Sequence, residues 1–377
     1  MRNKVAICIL FFLTTTSIVF AIGLRKNLKV IYSSNYYAKI INPDDYPGAN
    51  EFEKLKNALI DVPPAGATII VPPKVYEGSN LEIPSNVQII GISGATFRLS
   101  NNATNPFIII RTKNNIMIEN ILFDGNKENV FNLNSLLILI DHGSSNILIF
   151  NNTFTNFRNM AIATNYSKTN QDTNFIKIYN NNFYNGDGAA ILLRGYYENE
   201  KFFLKFIDVY QNILNNLSTN GKIGVAFASE VNISENLISF SESPLSGNIV
   251  IRGCENILVV KNTIVYSKAI AGILIETSLL FPNKGVFIIE DNQVLNEIGR
   301  GFFITGNDGV EATIFLRKNL FRKNSGPDIE AIDVKAYVIG NIVDTPNDLL
   351  ISSWTVAYNN HFTSAESARL FIFSRAR

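Results

Sequence analysis

The amino-acid sequence predicts an all-β fold, a single-stranded right-handed parallel β-helix (solenoid) with one capping α-helix at its N-terminal end. Three observations predict it: an asparagine-marked strand pattern recurs along the chain, most repeats hold a second short apolar strand, and no helical period separates them. Because a solenoid lengthens by adding units to one core, the 377 residues are expected to form one elongated domain.

The chain begins with a segment typical of protein export. Arg2 and Lys4 precede an apolar and hydroxyl-bearing run from Val5 to Ile22. Residues 1–22 are therefore expected to be a signal peptide or an N-terminal membrane anchor, in which residues 5–22 attach the chain to the membrane. We favour the cleaved signal and expect a secreted or cell-surface protein, with residues 23–46 as a linker.

A single amphipathic helix is expected over residues 47–62. Apolar residues recur there at helical spacing, at Phe52, Leu55, Leu59 and Ile60, and Pro63 and Pro64 follow. A solenoid must close the open apolar end of its first coil, so a helix directly before that coil predicts a cap. The β-helix is then expected to fill residues 63–377, and the last segment is either a final coil or a second capping helix.

The repeat itself is an alternating strand followed by Asn, any residue and an apolar residue. The asparagines recur every 19 to 32 residues, at Asn120, Asn152, Asn181, Asn212, Asn236, Asn262, Asn292, Asn319, Asn341 and Asn360. Asn tolerates left-handed backbone, and its amide can bond neighbouring peptide groups in a tight turn. Since stacked coils lie about 4.8 Å apart, the pattern predicts ten coils joined by a ladder of side-chain amides.

The second strand of each coil predicts two outward rows. One row is polar and contains Arg111, Asp141, Thr164, Arg194, Ala228, Arg252, Glu276 and Thr305. The other is apolar and contains Ile109, Leu139, Ile162, Leu192, Ala226, Val250, Leu274 and Phe303. An apolar row of this length should be covered by residues 25–46, by a partner chain or by a second copy. A register error of one residue would exchange the two faces.

The stretch from Asn50 to Leu99 resembles the opening of pectate-lyase-superfamily β-helix proteins: a cap helix, then GATIIVPPKVYEGSNLEIPSNVQIIGISGATF, with Lys74 where the superfamily usually has glycine. With the later coils, the resemblance covers about residues 45 to 362. It implies an exported protein that acts on or binds polysaccharide, as a lyase or glycoside hydrolase. The alternative is a non-catalytic surface protein that binds glycans or protein partners along the rod, so enzymatic activity stays uncertain.

Candidate catalytic residues follow from this resemblance. Asp187 in NGDGAAI resembles the polygalacturonase motif of two consecutive aspartates, although Gly188 occupies the second position and the segment also suits an ordinary turn. Asp141 and His142 resemble the Asp-His segment of pectate lyases, but Asp141 is alternatively a structural residue that closes a turn. Glu276 completes the set, since hydrolysis needs two or three adjacent carboxylates.

Candidate binding residues are Arg194 and Arg252, whose guanidinium groups would grip uronate carboxylates by paired hydrogen bonds. Arg252 would alternatively form a surface ion pair with Glu276 in the next coil. No cofactor is certain, and a lyase of this superfamily would be expected to hold Ca²⁺ on carboxylates. With His142 and His361 as the only histidines and Cys254 as the only cysteine after the signal, no other metal site or disulfide is expected.

The charge balance argues against one class of partner. The chain has 33 Lys plus Arg against 32 Asp plus Glu, so it has no net field that would attract nucleic acid. Triplets that fit glycosylation begin at Asn102, Asn151, Asn165, Asn216 and Asn232, although an Asn-rich chain produces such triplets by chance.

Overall fold

The computed structural model describes residues 39–165, 167, 171–218, 222–276, 283–305, 312–332, 334–344, 349–352, 355–363 and 371–373. They form an all-β parallel solenoid of about ten turns, which confirms the predicted fold class. The expected signal or anchor at residues 1–22 lies outside the described residues, and so do residues 23–38 of the expected linker. None of the helices in the described part is long and apolar enough to cross a membrane.

Three parallel sheets extend along the solenoid, and we number them in the order in which the chain visits them. Sheet 1 consists of Ile40–Ile41, Ala67–Val71, Val87–Gly91, Asn114–Glu119, Ser145–Phe150, Thr173–Tyr179, Leu204–Tyr210, Ala228–Ser234, Glu255–Val260, Lys284–Glu290, Thr313–Arg317, Ala336–Ile339 and Thr355–Tyr358. Sheet 2 consists of Val75–Gly78, Thr96–Leu99, Leu122–Asp124, Thr153–Thr155, Asn182–Tyr184, Ile213–Asn215, Leu237–Ser239, Thr263–Val265, Gln293–Leu295, Leu320–Arg322, Ile342–Val343 and His361–Phe362.

Sheet 3 carries the outward rows predicted from the sequence. Its strands are Leu81–Glu82, Ile108–Ile110, Ile138–Ile140, Met160–Thr164, Ala189–Arg194, Ile223–Ala226, Glu242–Arg252, Lys268–Glu276, Arg300–Thr305, Ile329–Ile332, Leu349–Ser352 and Phe371–Phe373. A separate antiparallel hairpin, Tyr197–Glu198 with Lys201–Phe202, interrupts one turn between sheets 3 and 1.

The capping helix spans Glu51–Ile60. The side chain of Asn50 caps its first turn, because Asn50 Oδ1 accepts the Glu53 backbone N–H at 2.9 Å. Phe52 is buried and meets Phe107 of the first coils edge to face, with ring centroids 5.6 Å apart. The helix therefore covers the apolar end of the solenoid, as its amphipathic pattern predicts.

The residues before the helix contribute to sheet 1. A 3₁₀ helix spans Pro43–Asp45, and Ile40–Ile41 pairs in parallel with Thr68 and Ile69. Residues 39–46 thus lie at the edge of sheet 1 and do not cover the apolar row of sheet 3. The remainder of the segment proposed as a cover, residues 25–38, is outside the described residues.

Inward side chains of the three sheets form one continuous core. Ile, Val and Leu fill most inward positions, and stacked phenylalanines add a column inside sheet 2. The rings of Phe123, Phe154 and Phe183 stack in parallel with centroids 4.8 Å apart, which is the coil spacing. The core is therefore built by repeating the same residue type at the same position of successive coils.

The predicted asparagine ladder is present from Asn152 to Asn360. Each ladder side chain donates from Nδ2 to Oδ1 of the next asparagine at 2.9 to 3.2 Å. The same Oδ1 accepts the backbone N–H of the previous ladder residue, for example the Asn152 N–H on Asn181 at 3.0 Å. From Asn152 onward, the ladder thus satisfies buried peptide groups at the turn between sheets 1 and 2.

Asn120 does not belong to this ladder, and its prediction is wrong. It is exposed with a φ of 58°, and Ile121 occupies the ladder position and donates its N–H to Asn152 Oδ1 at 3.1 Å. The prediction gave one asparagine both the left-handed backbone and the ladder amide. In the structure two consecutive residues have these roles. The residue before each ladder asparagine takes the left-handed backbone, as Asn151 and Asn180 do with φ of 54° and 52°.

Candidate functional site

The polar outward row lies at the end of the sheet 3 strands. Paired positions in adjacent coils place Arg194 beside Ala226, Ala226 beside Arg252, and Arg252 beside Glu276. Two predicted members of the row are wrong. Thr164 pairs with Ile140 in the neighbouring inward row, so Asn165 takes its place, and Ala228 begins a strand of sheet 1. The cause is that turns of unequal length precede the strands and shift the register.

The apolar outward row is confirmed next to it, with two corrections. Pairing connects Leu139, Ala163, Leu192, Gly224, Val250, Leu274 and Phe303 through successive coils. Ile162 faces the core instead, and Ala226 belongs to the polar row. Towards the C-terminal coils, Val250, Leu274 and Phe303 pack together into a small cluster of their own on this outer face.

Two adjoining cavities lie over these rows and form one groove. Their volumes are about 550 and 350 Å³, and Met160, Leu192 and Arg194 line both. The apolar row supplies the floor, while turns before and after the strands supply the walls. A concave site with an apolar floor and a few polar groups is the usual form of a ligand-binding site.

The larger cavity is rich in cationic side chains. Its basic lining residues are Arg158, Arg194, Lys222 and Arg252, and Asp187 is the acidic one among the lining residues that the structure describes. Burial is the main reason that the pKa of Lys222 falls to about 8; Glu276 opposes the shift, and Arg252 and Arg194 add to it. Neither Arg158 nor Lys222 was expected from the sequence, since each stands in a turn just before a sheet 3 strand.

Arg194 and Arg252 are held in place by different contacts. The backbone N–H of Arg194 donates to Thr164 Oγ1 at 2.6 Å, and the Thr164 hydroxyl donates to the Arg194 carbonyl at 2.8 Å. The guanidinium of Arg252 instead bonds the Glu276 carboxylate. Glu276 therefore forms the predicted ion pair and is not among the described residues that line either cavity.

Asp141 and His142 lie at the edge of the groove in a structural arrangement. Arg111 Nε donates to Asp141 at 2.7 Å, Asn165 Nδ2 donates at 3.0 Å, and the His142 backbone N–H donates at 2.8 Å. Burial alone would raise the pKa of Asp141, but these three hydrogen bonds hold it below its ordinary value. His142 Nδ1 lies 2.8 Å from Asp141 Oδ1 without hydrogen-bond geometry. The Asp141 carboxylate is thus fully engaged within the protein.

Asp187 stands alone where hydrolases of the polygalacturonase type have two aspartates. Its Oδ1 accepts hydrogen bonds from Lys127 Nζ at 3.1 Å and Ser218 Oγ at 2.9 Å. A Cβ at Gly188 would lie 1.1 Å from the backbone oxygen of Asn159. No side chain fits at this position without moving the backbone, so the local fold excludes a second aspartate.

The four predicted catalytic residues do not converge. Asp141 and Glu276 lie in the same row but five coils apart, or about 24 Å at the usual spacing of strands. Asp187 precedes the strand Ala189–Arg194 and so lies at the opposite end of the sheet from both. Across the described ranges, no group of three His, Cys, Asp or Glu residues lies close enough to hold a metal ion.

Comparisons with known proteins agree with this architecture. The family model described as "Right handed beta helix region" matches residues 168–343. With its three parallel sheets and asparagine ladder, the chain has the right-handed parallel β-helix fold that this family model describes. A search of curated proteins finds no match.

Solved structures share the fold at low sequence identity. The surface adhesin PfbA of Streptococcus pneumoniae is 13% identical, with a TM-score of 0.64 over 86% of this chain and 90% of its own. A hyperthermoactive exopolygalacturonase from Thermotoga maritima is 12% identical, with a TM-score of 0.63 over 91% and 96%. A family 28 exopolygalacturonase from Yersinia enterocolitica is 12% identical, with a TM-score of 0.62 over 85% and 75%. At these identities the likeness extends to the fold alone.

Proposed function

We propose that the groove over sheet 3 binds an acidic polysaccharide, outside the cell or on its surface. The observation that carries the proposal is the cationic lining of the larger cavity, in which Arg194, Lys222 and Arg252 surround an apolar floor. Structurally similar proteins include polygalacturonases and a surface adhesin, so a polysaccharide-active or cell-surface role fits this fold.

The geometry suits a chain of uronate sugars. Arg194 and Arg252 lie in one row with Ala226 between them, so their backbones are about 10 Å apart at the usual strand spacing. Each guanidinium could pair with a separate carboxylate through two parallel hydrogen bonds. The apolar C–H faces of the sugar rings would then rest on Leu192 and Val250, which also line the cavity.

Binding is better supported than hydrolysis. Hydrolysis would require an acid and a base about 5 to 10 Å apart across the sugar bond. Asp141, Asp187 and Glu276 are distributed over different ends and coils of the sheet, and each bonds a neighbouring side chain. Among the lining residues that the structure describes, the groove therefore has cations to hold an acidic polymer but no paired carboxylates to cleave it by hydrolysis.

One observation favours β-elimination as a second candidate function. With a pKa of about 8, Lys222 is partly deprotonated near neutral pH and lies among the two arginines that would neutralise a uronate. A neutral amine there could remove the proton beside the uronate carboxyl. The electron pair would then form a C=C bond while the glycosidic C–O bond at the next carbon breaks, and water would protonate the departing oxygen. The carboxylate would be stabilised by Arg194 and Arg252, in place of the Ca²⁺ expected for lyases of this superfamily.

Calorimetric titration with polygalacturonate, alginate and a neutral galactan tests the binding proposal. We expect the two uronate polymers to bind and the neutral one not to, with affinity that falls as salt rises. Arg194→Ala with Arg252→Ala should weaken uronate binding at least 10-fold. Arg322→Ala is the matched control, since Arg322 forms a similar ion pair with Asp344 on sheet 2. Equal binding of the neutral polymer, or equal loss in the control, would contradict the proposal.

Lys222→Arg separates elimination from binding. The substitution keeps the positive charge but removes a group that deprotonates near neutral pH. If elimination occurs, ultraviolet absorbance of unsaturated products should appear with the wild-type protein and be lost in Lys222→Arg, while uronate affinity stays within about 3-fold. No unsaturated product from either uronate polymer would leave binding as the function of the groove.

A further inference from the structure

The interior of the solenoid changes from apolar to polar along one corner. At the turn between sheets 2 and 3, earlier coils place Phe157 and Leu217 inward. Later coils place Ser241, Ser267 and Glu297 at the same position. Backbone hydrogen bonds from Lys268 to Ser241 and from Ile298 to Ser267 fix this stacking. These three residues are at most 1% exposed.

Two further buried residues complete what we name the polar chamber, defined by Ser241, Ser243, Asn248, Ser267 and Glu297. Asn248 Nδ2 donates to Glu297 Oε2 at 2.9 Å. The backbone N–H of Ala269, which pairs with Ser243 in the sheet, donates to Glu297 Oε1 at 2.7 Å. Each oxygen of the Glu297 carboxyl group thus accepts one hydrogen bond and keeps further lone-pair capacity.

Four oxygen atoms of the polar chamber have no hydrogen-bond partner within the described ranges of the chain. They are Ser241 Oγ, Ser243 Oγ, Ser267 Oγ and Asn248 Oδ1, and all four are inaccessible to solvent. Ser267 lies close enough to Glu297 to affect its pKa, yet its hydroxyl makes no bond of good geometry. Buried oxygens in native proteins nearly always have a partner, so this concentration points to a bound species.

We propose that the polar chamber binds one small monovalent cation, with Na⁺ the best match, inside the solenoid. The side-chain atoms that would bind the cation are carboxylate, hydroxyl and amide oxygens, which are hard ligands. The polar chamber contains neither the imidazole nor the thiolate that softer metals prefer. Glu297 supplies a single negative charge. A divalent ion would leave an uncompensated positive charge in the interior, and Mg²⁺ also retains several waters.

The titration of Glu297 is consistent with this role. Burial raises the pKa of Glu297 to about 7, although hydrogen bonds from the Ala269 and Ile298 amides and from the Asn248 side chain oppose the shift. A buried carboxylate is unfavourable as an anion unless a positive charge compensates it. The cation would supply that charge, bind the ionised form and so lower the pKa of Glu297.

Thermal unfolding at pH 8 tests the proposal in buffers of equal ionic strength. We expect Tm to rise saturably when choline is replaced by Na⁺, and sodium NMR linewidths to broaden with the folded protein. Glu297→Gln should abolish both responses, and Ser243→Ala should shift the Na⁺ midpoint at least 5-fold. Ser144→Ala is the matched control, since Ser144 is buried and donates to the Ile110 carbonyl outside the polar chamber. The control should respond to Na⁺ like the wild type.

Three results would overturn the inference. An equal Tm in choline and Na⁺, without NMR broadening, would mean that water fills the polar chamber. Stabilisation by Ca²⁺ but not by Na⁺ would contradict a monovalent site. A Na⁺ response that persists in both Glu297→Gln and Ser243→Ala would place the ion elsewhere. If Glu297→Gln does not fold, Ser243→Ala decides the question, because it removes one ligand without changing the charge.

Discussion

Replacement of Asn181 by alanine is expected to cost the solenoid a large part of its stability. The Asn181 Nδ2 donates to the carbonyl oxygens of Ile149 and Tyr179, both at 3.0 Å, and to Asn212 Oδ1 at 3.1 Å. Its Oδ1 accepts the backbone N–H and the side-chain amide of Asn152 at 3.0 and 3.2 Å. Because the two hydrogens of Nδ2 are shared among three acceptors, the side chain contributes about four full hydrogen bonds, and at about 1 kcal/mol each the free energy of unfolding should fall by about 4 kcal/mol.

The neighbouring residue provides the control. Asn180 is exposed and has a left-handed φ of 52°, so Asn180→Ala should cost only about 1 kcal/mol of backbone strain. Urea unfolding followed by circular dichroism compares the stability of the two variants. Because repeat arrays do not always unfold in two states, hydrogen exchange of the flanking coils shows in addition where protection is lost. Equal destabilisation by both variants, within about 0.5 kcal/mol, would refute the ladder as a source of stability.

Three more predictions concern the core, the turn before sheet 3 and the polar chamber. Phe154→Ala, in the middle of the phenylalanine stack, should lower the free energy of unfolding by about 3 to 5 kcal/mol in urea titrations. Gly188→Asp and Gly188→Ala should be similarly destabilising by about 3 kcal/mol or more, because the clash with Asn159 begins at Cβ; a tolerated Gly188→Asp variant would contradict this. The folded state raises the pKa of Glu297 from 4.5 to about 7, so the folded protein keeps this proton up to a higher pH than the unfolded chain does. In choline buffer, the free energy of unfolding should therefore fall by about 3 kcal/mol as the pH rises from about 4.5 to 7. Chemical unfolding across this pH range should show the slope in the wild type and not in Glu297→Gln.

The sequence predicted the fold because every coil repeats the same inward pattern. Ladder asparagines, core isoleucines and stacked phenylalanines each recur once per turn, so the pattern of one coil predicts the next. The errors arose where adjacent positions share the same chemistry. Asn120 resembles a ladder residue, yet the inward position is Ile121, and only the backbone conformation distinguishes the two. Thr164 was misplaced by one residue for a different reason, because turns of unequal length precede the sheet 3 strands and shift the register.

The groove was less predictable because its walls come from turns rather than from the repeat. The row containing Arg194 and Arg252 follows from strand alternation, and it was expected. Lys222 and Arg158 reach the same cavity from turns of unequal length, whose paths no periodicity defines. The absence of room at Gly188 depends on the path of another coil, at Asn159, and therefore could not be read from the motif itself.

Ion pairs between adjacent coils occupy several of the acids that the structure describes. Arg98 bonds Asp124, Arg111 bonds Asp141, and Arg252 bonds Glu276, in each case across one coil step. An acid in such a pair is held by its neighbour and is less available to a ligand.

The ion pair between Arg252 and Glu276 predicts how the groove responds to a change of charge. A uronate that binds Arg252 must compete with the Glu276 carboxylate for the guanidinium. Glu276→Gln should therefore strengthen polygalacturonate binding by about 3-fold, because it frees the Arg252 guanidinium, whereas Arg252→Ala should weaken binding by about 3-fold or less. Titration calorimetry of the two variants measures this order, and a Glu276→Gln protein that binds no more tightly than the wild type would show that coil pairing does not govern ligand binding in this groove.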